Sequence, residues 1–279
     1  MDDLKISGRS ESLKKKTQRS FSFQWRNFSV MSCDFKDNFL NYISPLEPEF
    51  FKNKLVLDAG CGFGRHLYNA ALFGAKMVGM DFSDAIESSR ENTRMLRNVY
   101  LVKGDIYNPP FTDKAFDFVY SIGVLHHLPD PEKGFCSLLR FVKNGGSIFI
   151  WVYSDSRKFI NALLESVRIF TTRMPFTLLK IICFIFAALD YLITLSFKLL
   201  NKIGILNKII EKITFERIKV YMRYPFQVTY ADWFDRLSAP IRFYYNADDL
   251  NGWAKRAGLK KVIISPTGNY GWRLYGEKE

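Results

Sequence analysis

The sequence contains few of the residues that bind metal ions or form disulfide bonds. Its 279 residues include three histidines and four cysteines. Scattered cysteines are typical of free thiols in a reducing compartment. No nearby Asp, Cys or His completes a metal-ligand set around the adjacent pair His126 and His127. We therefore expect free thiols and no metal centre.

No secretory signal peptide is predicted either. The start, Met1-Asp2-Asp3, is acidic, and no apolar run follows it. An intrinsically disordered protein is excluded, because 48% of the residues are hydrophobic and 16% are aromatic. We expect a folded protein with a cytoplasmic location.

The most informative segment joins a short apolar strand to a glycine-rich turn. Residues 55–64 read Leu-Val-Leu-Asp-Ala-Gly-Cys-Gly-Phe-Gly. Glycines at these positions let the backbone turn sharply and approach a ligand closely. A dinucleotide-binding turn has G-x-G-x-x-G spacing, which would need a third glycine where this chain has Arg65. The turn therefore predicts a nucleotide-type cofactor site, and a dehydrogenase is the weaker interpretation.

Further strands follow in an order that is typical of an α/β sheet. Asp81 ends the second strand, and a carboxylate there offers two acceptor oxygens to the hydroxyls of a ribose. Asp105 follows the third strand. Taken alone, each acid is equally well explained as a solvated helix cap. The strands after the first are predicted at 76–81, 99–102, 116–121 and 147–152.

The order of these motifs resembles class I S-adenosylmethionine-dependent methyltransferases, closely over residues 54–153 and more loosely over the last thirty. The resemblance implies a Rossmann-like α/β fold, with a seven-stranded, doubly wound sheet whose last strand is antiparallel. It also implies S-adenosylmethionine as the cofactor. The glycine turn would pack on its methionine part, Asp81 would bind the ribose, and Asp105 and Ile106 would bind the adenine. The cofactor-binding residues that it implies in the core are Asp58, Gly60, Cys61, Gly62, Gly64, Asp81, Phe82, Asp105, Ile106 and Ser121.

Two of the three histidines follow the fourth predicted strand. Residues 121–129 read Ser-Ile-Gly-Val-Leu-His-His-Leu-Pro. This segment resembles the branch of the family that includes quinone C-methyltransferases and many small-molecule methyltransferases. A histidine at the carboxyl end of a strand can take the proton that a methyl acceptor loses, so His126 or His127 is a candidate base. The alternative is that the pair orients a loop or caps the next helix.

The amino terminus divides into two predicted segments. Residues 1–20 are basic and contain little that packs, so we expect a flexible tail. Residues 21–50 begin with the aromatic run Phe-Ser-Phe-Gln-Trp-Arg-Asn-Phe, and related methyltransferases carry such a segment over the cofactor pocket. Gln24 and Trp25 are predicted to close this pocket. Packing of the aromatic residues on the sheet is an equal alternative.

Residues 154–246 are predicted to be an insertion on the substrate side of the core. The cofactor-binding core covers 51–153, and residues 247–279 complete it with a last helix and two strands. The insertion reads as a helical, apolar and basic cap over the active site, which favours a hydrophobic substrate. Its expected substrate-facing aromatic residues are Trp233, Tyr244 and Tyr245.

The helices of this insertion combine apolar runs with positive charge. From Ile181 to Phe197 the only charged residue is Asp190, and this run is shorter than the roughly 20 residues of a membrane span. A second helix is predicted at 201–221. Residues 154–246 contain fourteen Lys and Arg against seven Asp and Glu, a net charge of +7. This composition suits an anionic lipid surface, and the alternative is that the apolar faces pack on each other or on a second subunit.

Together these features predict an enzyme that transfers the methyl group of S-adenosylmethionine to a hydrophobic or lipid-like small molecule. Its expected location is cytoplasmic, peripheral at the inner membrane face. Nucleic acid is not favoured, because the positive charge is mixed with long apolar runs instead of forming a polar stripe. The alternatives are an RNA methyltransferase and a non-catalytic, cofactor-binding scaffold or regulatory subunit. The acceptor atom and the oligomeric state stay open.

Overall fold

The computed structural model describes residues 2–31, 33–202 and 216–279. Its strands are β1 Leu55–Ala59, β2 Lys76–Asp81, β3 Val99–Lys103, β4 Phe116–Ile122, β5 Val142–Tyr153, β6 Lys260–Thr267 and β7 Gly271–Glu277. They form one sheet in the order β3-β2-β1-β4-β5-β7-β6. Neighbours from β3 to β5 are parallel, and β7 is antiparallel to both β5 and β6. The predicted seven-stranded sheet with an antiparallel last strand is confirmed.

Helices cover both faces of this sheet and make up the insertion after β5. Those of the described residues are α1 Asp2–Asn27, α2 Lys36–Ile43, α3 Arg65–Leu72, α4 Ala85–Thr93, α5 Pro131–Leu139, α6 Lys158–Thr171, α7 Phe176–Lys202, α8 Glu216–Tyr221, α9 Phe226–Ser238 and α10 Ala247–Arg256.

Consecutive residues of the central strands point to opposite faces of the sheet. Leu57 and Val119 lie in one hydrophobic cluster, and their neighbours Val56 and Phe118 lie in another. All four side chains are fully buried. Because both faces are covered, these strands read as continuous apolar runs in the sequence. The carboxyl ends of the parallel strands are the edge that positions the predicted site.

The amino-terminal segment is helical, so the flexible tail predicted for residues 1–20 is a wrong prediction. Helix α1 begins at Asp2. Three of its polar residues, Thr17, Ser20 and Gln24, are nevertheless buried. Their spacing of three and four residues places them on one helix face. The prediction failed because it took a polar sequence as unable to pack, whereas polar side chains of this helix bond to distant backbone groups, as Gln18 Nε2 does to the Phe82 carbonyl.

The chain divides into two compact units, residues 1–163 with 239–279 and residues 164–238. The second unit is shorter than the predicted insertion at 154–246. Backbone bonds explain the difference, because Ser154 pairs with Tyr245 and the Phe243 N–H donates to the His126 carbonyl over 2.9 Å. These bonds hold both ends of the predicted insertion to the sheet unit.

Helix α7 is longer than the apolar run expected from the sequence. Its stretch Phe176–Leu200 has 25 residues, its mean hydropathy reaches 2.2, and among the described residues it alone is long and apolar enough to cross a membrane. The expectation that this region is too short for a span was wrong, because the apolar helix continues beyond Lys180 and Lys198. Of the second helix predicted at 201–221, residues 203–215 lie outside the described residues, the first two belong to α7, and the last six form α8 Glu216–Tyr221.

A buried arginine joins the two antiparallel strands to the segment before β1. The Arg273 guanidinium donates to the carbonyls of Asn41 (2.6 Å), Tyr42 (3.0 Å) and Pro266 (2.7 Å). The side chain is 9% exposed. Charged donors satisfy buried carbonyls strongly, so Arg273 fixes the end of α2 against β6 and β7.

Replacement of this arginine should therefore destabilise the protein. We expect Arg273→Met to lower the free energy of unfolding by about 2 to 4 kcal/mol, because three carbonyls lose their donor. Arg94→Met is the matched control, since Arg94 is exposed and pairs with the exposed Glu91. It should change the free energy of unfolding by less than about 0.5 kcal/mol. Urea unfolding followed by circular dichroism measures both, and equal effects would contradict this account.

Candidate active site

The glycine-rich turn lies at the carboxyl ends of β1 and β2. Gly60, Gly62 and Gly64 all have positive φ, at 89°, 55° and 88°. The N–H groups of Gly60 and Cys61 donate to the Met80 carbonyl over 2.7 and 3.0 Å. These bonds fasten the turn to the end of β2, and α3 begins immediately after it.

Two of these glycines have no room for a side chain. A Cβ at Gly60 would lie 2.4 Å from Val124 Cγ2, and a Cβ at Gly64 would lie 2.5 Å from Ser89 Oγ. Backbone angle and packing thus both require glycine, and any larger residue would displace the turn.

Asp81, at the end of β2, holds this turn in place. Its Oδ2 accepts from the Gly62 N–H (2.9 Å), and its Oδ1 accepts from the Ser83 N–H (2.8 Å) and hydroxyl (2.6 Å). Burial raises the pKa of the carboxyl, while these hydrogen bonds oppose the shift. The carboxylate therefore lies beside the glycine turn, where it can also accept from a ligand hydroxyl.

Asp105, the acid after β3, is engaged by a residue that the sequence analysis did not identify. It forms an ion pair with Lys14 of α1, and its Oδ1 accepts from the Tyr107 N–H over 3.0 Å. The Lys14 ammonium also lies 5.0 Å from the ring centroid of Phe82 and 5.1 Å from that of Tyr107. Lys14 thus occupies the donor position at Asp105 that was predicted for the adenine amine.

Helix α1 runs along the predicted cofactor edge. Gln18 Nε2 donates to the carbonyl of Phe82 over 2.8 Å, and the hydroxyl of Ser88 donates to the carbonyl of Trp25 over 2.9 Å. Lys14, Gln18, Phe21 and Trp25 follow one another at four, three and four residues, which is the spacing of one helix face. The sequence analysis missed the contacts of Lys14 with Asp105 and of Phe21 with His127. The helical spacing was the signal from which they could have been predicted.

Of the two residues predicted to close the pocket, Gln24 and Trp25, Trp25 lies at the glycine turn. Gln24 is fully buried. The Trp25 ring packs on Phe63 with centroids 4.8 Å apart, and Trp25 Nε1 would lie 3.4 Å from a Cβ at Gly62. The aromatic segment therefore covers the turn by packing on it.

Asp58 lies next to the turn but has its partner inside the sheet. Its carboxyl is 2% exposed and accepts from the Tyr120 hydroxyl over 2.9 Å. Burial raises the pKa of Asp58 to about 7, against the lowering effect of that hydrogen bond. The side chain thus links β1 to β4 beneath the turn.

Three other predicted cofactor residues have buried side chains. The Ser121 hydroxyl donates to the Ala59 carbonyl over 2.8 Å, Ile106 packs in a core cluster, and burial raises the pKa of the Cys61 thiol. These side chains stabilise the sheet unit directly beneath its carboxyl edge.

The two histidines lie in one turn of 3-10 helix after β4. His127 Nδ1 is 2.6 Å from the carbonyl oxygen of Ile241. Only a protonated Nδ1 makes this contact favourable, so in the neutral ring Nε2 is the acceptor. The His127 ring also lies 5.1 Å from the ring of Phe21.

His126 is a weaker candidate for a base. It is fully buried, its ring lies 4.0 Å from that of Tyr153, and neither ring nitrogen has a hydrogen-bond partner among the described residues. Burial, together with the nearby His127 and Arg242, holds the pKa of His126 well below its usual range. The ring therefore stays neutral near pH 7 and accepts a proton poorly.

The predicted substrate residues fall into different units. Trp233, in the helical unit, donates to Asp190 over 2.8 Å and stacks on Phe186. Tyr245, in the sheet unit, packs on Trp253 with centroids 4.9 Å apart and belongs to the surroundings of a core cluster. Tyr244 lies half-buried, 6.3 Å from the Tyr153 ring. Their assignment to substrate stays a prediction.

Within the described part of the chain, no group of three or more His, Cys, Asp and Glu residues could hold a metal ion.

Comparison with known proteins identifies a domain that includes the strands of this site. Residues 57–150 match a family model described as a methyltransferase domain. The chain is 33% identical over 126 residues to a sterol 24-C-methyltransferase of Schizosaccharomyces pombe, covering 43% of this chain and 32% of the relative. It is 35% identical over 133 residues to a tRNA U34 carboxymethyltransferase of Vibrio cholerae, covering 46% of this chain and 38% of the relative.

The chain therefore matches only part of each of these relatives. It covers 60% or less of the length of the first relatives that it matches.

Solved structures extend the likeness of the fold over most of the chain. A SAM-dependent methyltransferase from Thermotoga maritima aligns with 94% of this chain and 100% of its own, at a TM-score of 0.50 and 13% identity. An O-methyltransferase family protein from Burkholderia thailandensis aligns with 88% of this chain and 56% of its own, at a TM-score of 0.51 and 12% identity.

The seven-stranded sheet, the glycine turn at its carboxyl edge and the match over residues 57–150 lead to one conclusion. Residues 57–150 thus form a methyltransferase domain, and the chain has the fold of class I S-adenosylmethionine-dependent methyltransferases.

Proposed function

We propose that this protein transfers the methyl group of S-adenosylmethionine to a hydrophobic or lipid-like small molecule. The observation that carries the proposal is the bond from the Gly62 N–H to the Asp81 carboxylate, 2.9 Å long, at the carboxyl edge of β1 and β2. It places a glycine turn and an acceptor group side by side, as a nucleoside cofactor with an amino-acid tail requires.

The carboxylates of this edge, which accept hydrogen bonds, fit this cofactor. Asp81 and Asp105 end or follow neighbouring strands, and each already accepts bonds from N–H donors in the structure. Carboxylates in this arrangement suit the hydroxyls of a ribose and the exocyclic amine of adenine. We therefore assign Asp81 to the ribose, Asp105 to the adenine and the turn at Gly62 to the methionine part.

S-adenosylmethionine, when bound, supplies a methyl group that its sulfonium activates for in-line displacement. The protein has to align the acceptor, exclude water and receive a proton. Helix α1 suits the exclusion of water, because Gln18 and Trp25 hold it over the cofactor edge. His127 is the better candidate base of the pair, because its Nδ1 contact with the Ile241 carbonyl keeps the proton on Nδ1 and makes Nε2 the acceptor of the neutral ring.

A hydrophobic substrate is supported by the composition of the helical unit and by a relative. Large apolar side chains of α6 and α7 are exposed, and residues 154–246 carry a net charge of +7. This combination favours substrates that reside in or near anionic lipid, at the cytoplasmic membrane face. The relative from S. pombe is a sterol 24-C-methyltransferase.

RNA is the second candidate substrate. Two observations favour it, namely the net charge of +12 and the likeness to tRNA U34 carboxymethyltransferases. Phosphate binding uses lysine and arginine on a polar surface. The exposed apolar residues of α6 and α7 interrupt such a surface, so we rank RNA below a lipid-like acceptor.

Methyl transfer to extracted acceptors tests the function. Purified protein with methyl-labelled S-adenosylmethionine would be incubated separately with a total lipid and quinone extract in vesicles and with total tRNA. We expect label in the organic-soluble fraction and none in RNA, and no transfer by Asp81→Ala in either reaction. Label in tRNA alone would replace the lipid-like substrate by RNA. Cofactor binding without transfer to any acceptor would favour the scaffold.

Asp81→Ala should weaken S-adenosylmethionine binding by about 100-fold or more, because two charge-assisted hydrogen bonds to the ribose are lost. Asp113→Ala is the control, since Asp113 is exposed and pairs with Arg140. Calorimetric titration measures both affinities, and thermal melts establish that the variants fold. Unchanged affinity in Asp81→Ala would contradict the ribose assignment.

Lys14→Met should strengthen cofactor binding by about fivefold, because the adenine amine no longer competes with an ammonium for Asp105. Lys15→Met, one residue along α1 and exposed, should leave the affinity unchanged within about twofold. The same titration compares them. A weaker affinity in Lys14→Met would mean that Lys14 supports the bound cofactor instead of competing with it.

His127→Gln should lower kcat by about 100-fold without changing the affinity for S-adenosylmethionine, because the acceptor loses its base. His126→Phe keeps the buried aromatic packing, and its kcat should stay within about threefold of the wild type. Steady-state kinetics with saturating cofactor and calorimetric titration measure kcat and affinity separately. A kcat of His127→Gln that stays within about threefold of the wild type would exclude His127 as the base.

A further inference from the structure

Helix α7 leaves a wide apolar face exposed and turns two of its polar residues, Asp190 and Thr194, towards its inner side. Its buried side carries a stripe with polar members, whereas its opposite side is apolar and exposed. Members of the inner stripe are Leu179, Cys183, Ala187, Asp190 and Thr194. The outer face of α7 consists of Leu178, Ile181, Ile185, Leu189, Leu192 and Leu199, which are between 46% and 61% exposed. Both sets follow the three- and four-residue spacing of a single helix face.

The polar groups of the inner stripe are satisfied within the helical unit. Asp190 accepts from Trp233 Nε1 of α9 over 2.8 Å, and the Thr194 hydroxyl donates to the Asp190 carbonyl over 2.9 Å. The Tyr230 hydroxyl of α9 donates to the carbonyl of Lys180 over 2.9 Å. Helix α9 therefore takes the place of water on the polar side of α7 and leaves its apolar side uncovered.

Helix α6 repeats the same arrangement. Its inward residues are polar: Arg168 donates to the Arg236 carbonyl over 2.9 Å, and the Thr171 hydroxyl donates to the Leu237 carbonyl over 2.8 Å. Four of its exposed apolar residues share one face. The outer face of α6 consists of Phe159, Leu163, Val167 and Phe170. Water-soluble proteins rarely leave two such faces exposed, so this surface indicates a binding partner.

The charges of this segment identify the chemistry of the partner. Residues 158–202 contain six Lys and Arg but only two acids, Glu165 and Asp190. Both acids already have partners, Arg168 and Trp233. Positive charge flanking an exposed apolar face complements anionic headgroups above acyl chains. A second copy of this chain would carry the same positive charge and repel it.

We propose that α6 and α7 lie in the plane of an anionic lipid bilayer, with their outer faces in contact with the acyl chains. The 25-residue stretch of α7 is long enough to cross, since it would extend about 38 Å against a hydrocarbon core of about 30 Å. Helix α9 excludes a crossing, because it packs on α7 and carries Asp232, Asp235 and Arg236, which are costly in hydrocarbon.

The outer faces of α6 and α7 would then be the surface at which a lipid-like acceptor reaches the enzyme. This point alone rests on the proposed function. Attachment to the bilayer needs neither cofactor nor turnover. Cofactor binding reports on the sheet unit, and vesicle binding reports on the outer faces of α6 and α7. The two measurements can therefore fail separately.

Vesicle flotation of the full chain tests the proposal. Vesicles of phosphatidylglycerol and phosphatidylcholine would be compared with vesicles of phosphatidylcholine alone. We expect the protein to float with the anionic vesicles and less with the neutral ones. The double variant Ile185→Glu and Leu189→Glu should bind at least about tenfold more weakly, because two apolar contacts with acyl chains are lost.

The matched control is the double variant Met95→Glu and Tyr100→Glu, which adds the same charge at exposed apolar residues of the sheet unit. It should float like the wild type. Circular dichroism of each variant shows whether its helices fold. The proposal is overturned if the wild type does not float with anionic vesicles, or if both double variants float equally. It is also overturned if sedimentation shows a dimer that only Ile185→Glu and Leu189→Glu dissociates, without flotation of the wild type.

Discussion

The hydrogen bond from the Gly62 N–H to the Asp81 carboxylate is the contact on which the functional edge depends. It joins the turn after β1 to the end of β2, and the bonds of that turn to the Met80 carbonyl reinforce the connection. Positive φ at the glycines makes the turn tight enough for this bond to form. Helix α1 then packs on the turn through Trp25. The same local bond thus positions the glycine turn of the candidate cofactor site, the Asp81 carboxylate and the end of helix α1 that packs on the turn.

The sheet and the cofactor family could be predicted from the sequence because their signals are local. Apolar strands that end in Asp58 and Asp81, and glycines at fixed spacing, follow directly from backbone geometry. The course of residues 1–20 could not be predicted in this way. Buried polar residues such as Thr17 and Gln24 have no apolar pattern, and their packing depends on contacts more than sixty residues away, as in the bond from Gln18 to Phe82. The assignments of individual cofactor, catalytic and substrate residues stay predictions.

The helical unit illustrates a second limit of sequence patterns. An apolar helix with a few polar residues is expected to bury its apolar side, but α7 buries Thr194, leaves Asp190 half-buried and exposes Ile185 and Leu189. The donor from Trp233 makes this possible, because it satisfies Asp190 inside the unit. The two units thus present different surfaces. One has a polar edge with the glycine turn and Asp81, and the other exposes apolar side chains.

Calorimetric titration of the purified protein with S-adenosylmethionine, S-adenosylhomocysteine and NADH tests the central claim most directly. The account predicts binding of the first two and none of NADH, because the spacing at Arg65 departs from that of a dinucleotide turn. Binding of NADH, or no binding of S-adenosylmethionine by a folded protein, would contradict the assignment of the glycine turn and of Asp81.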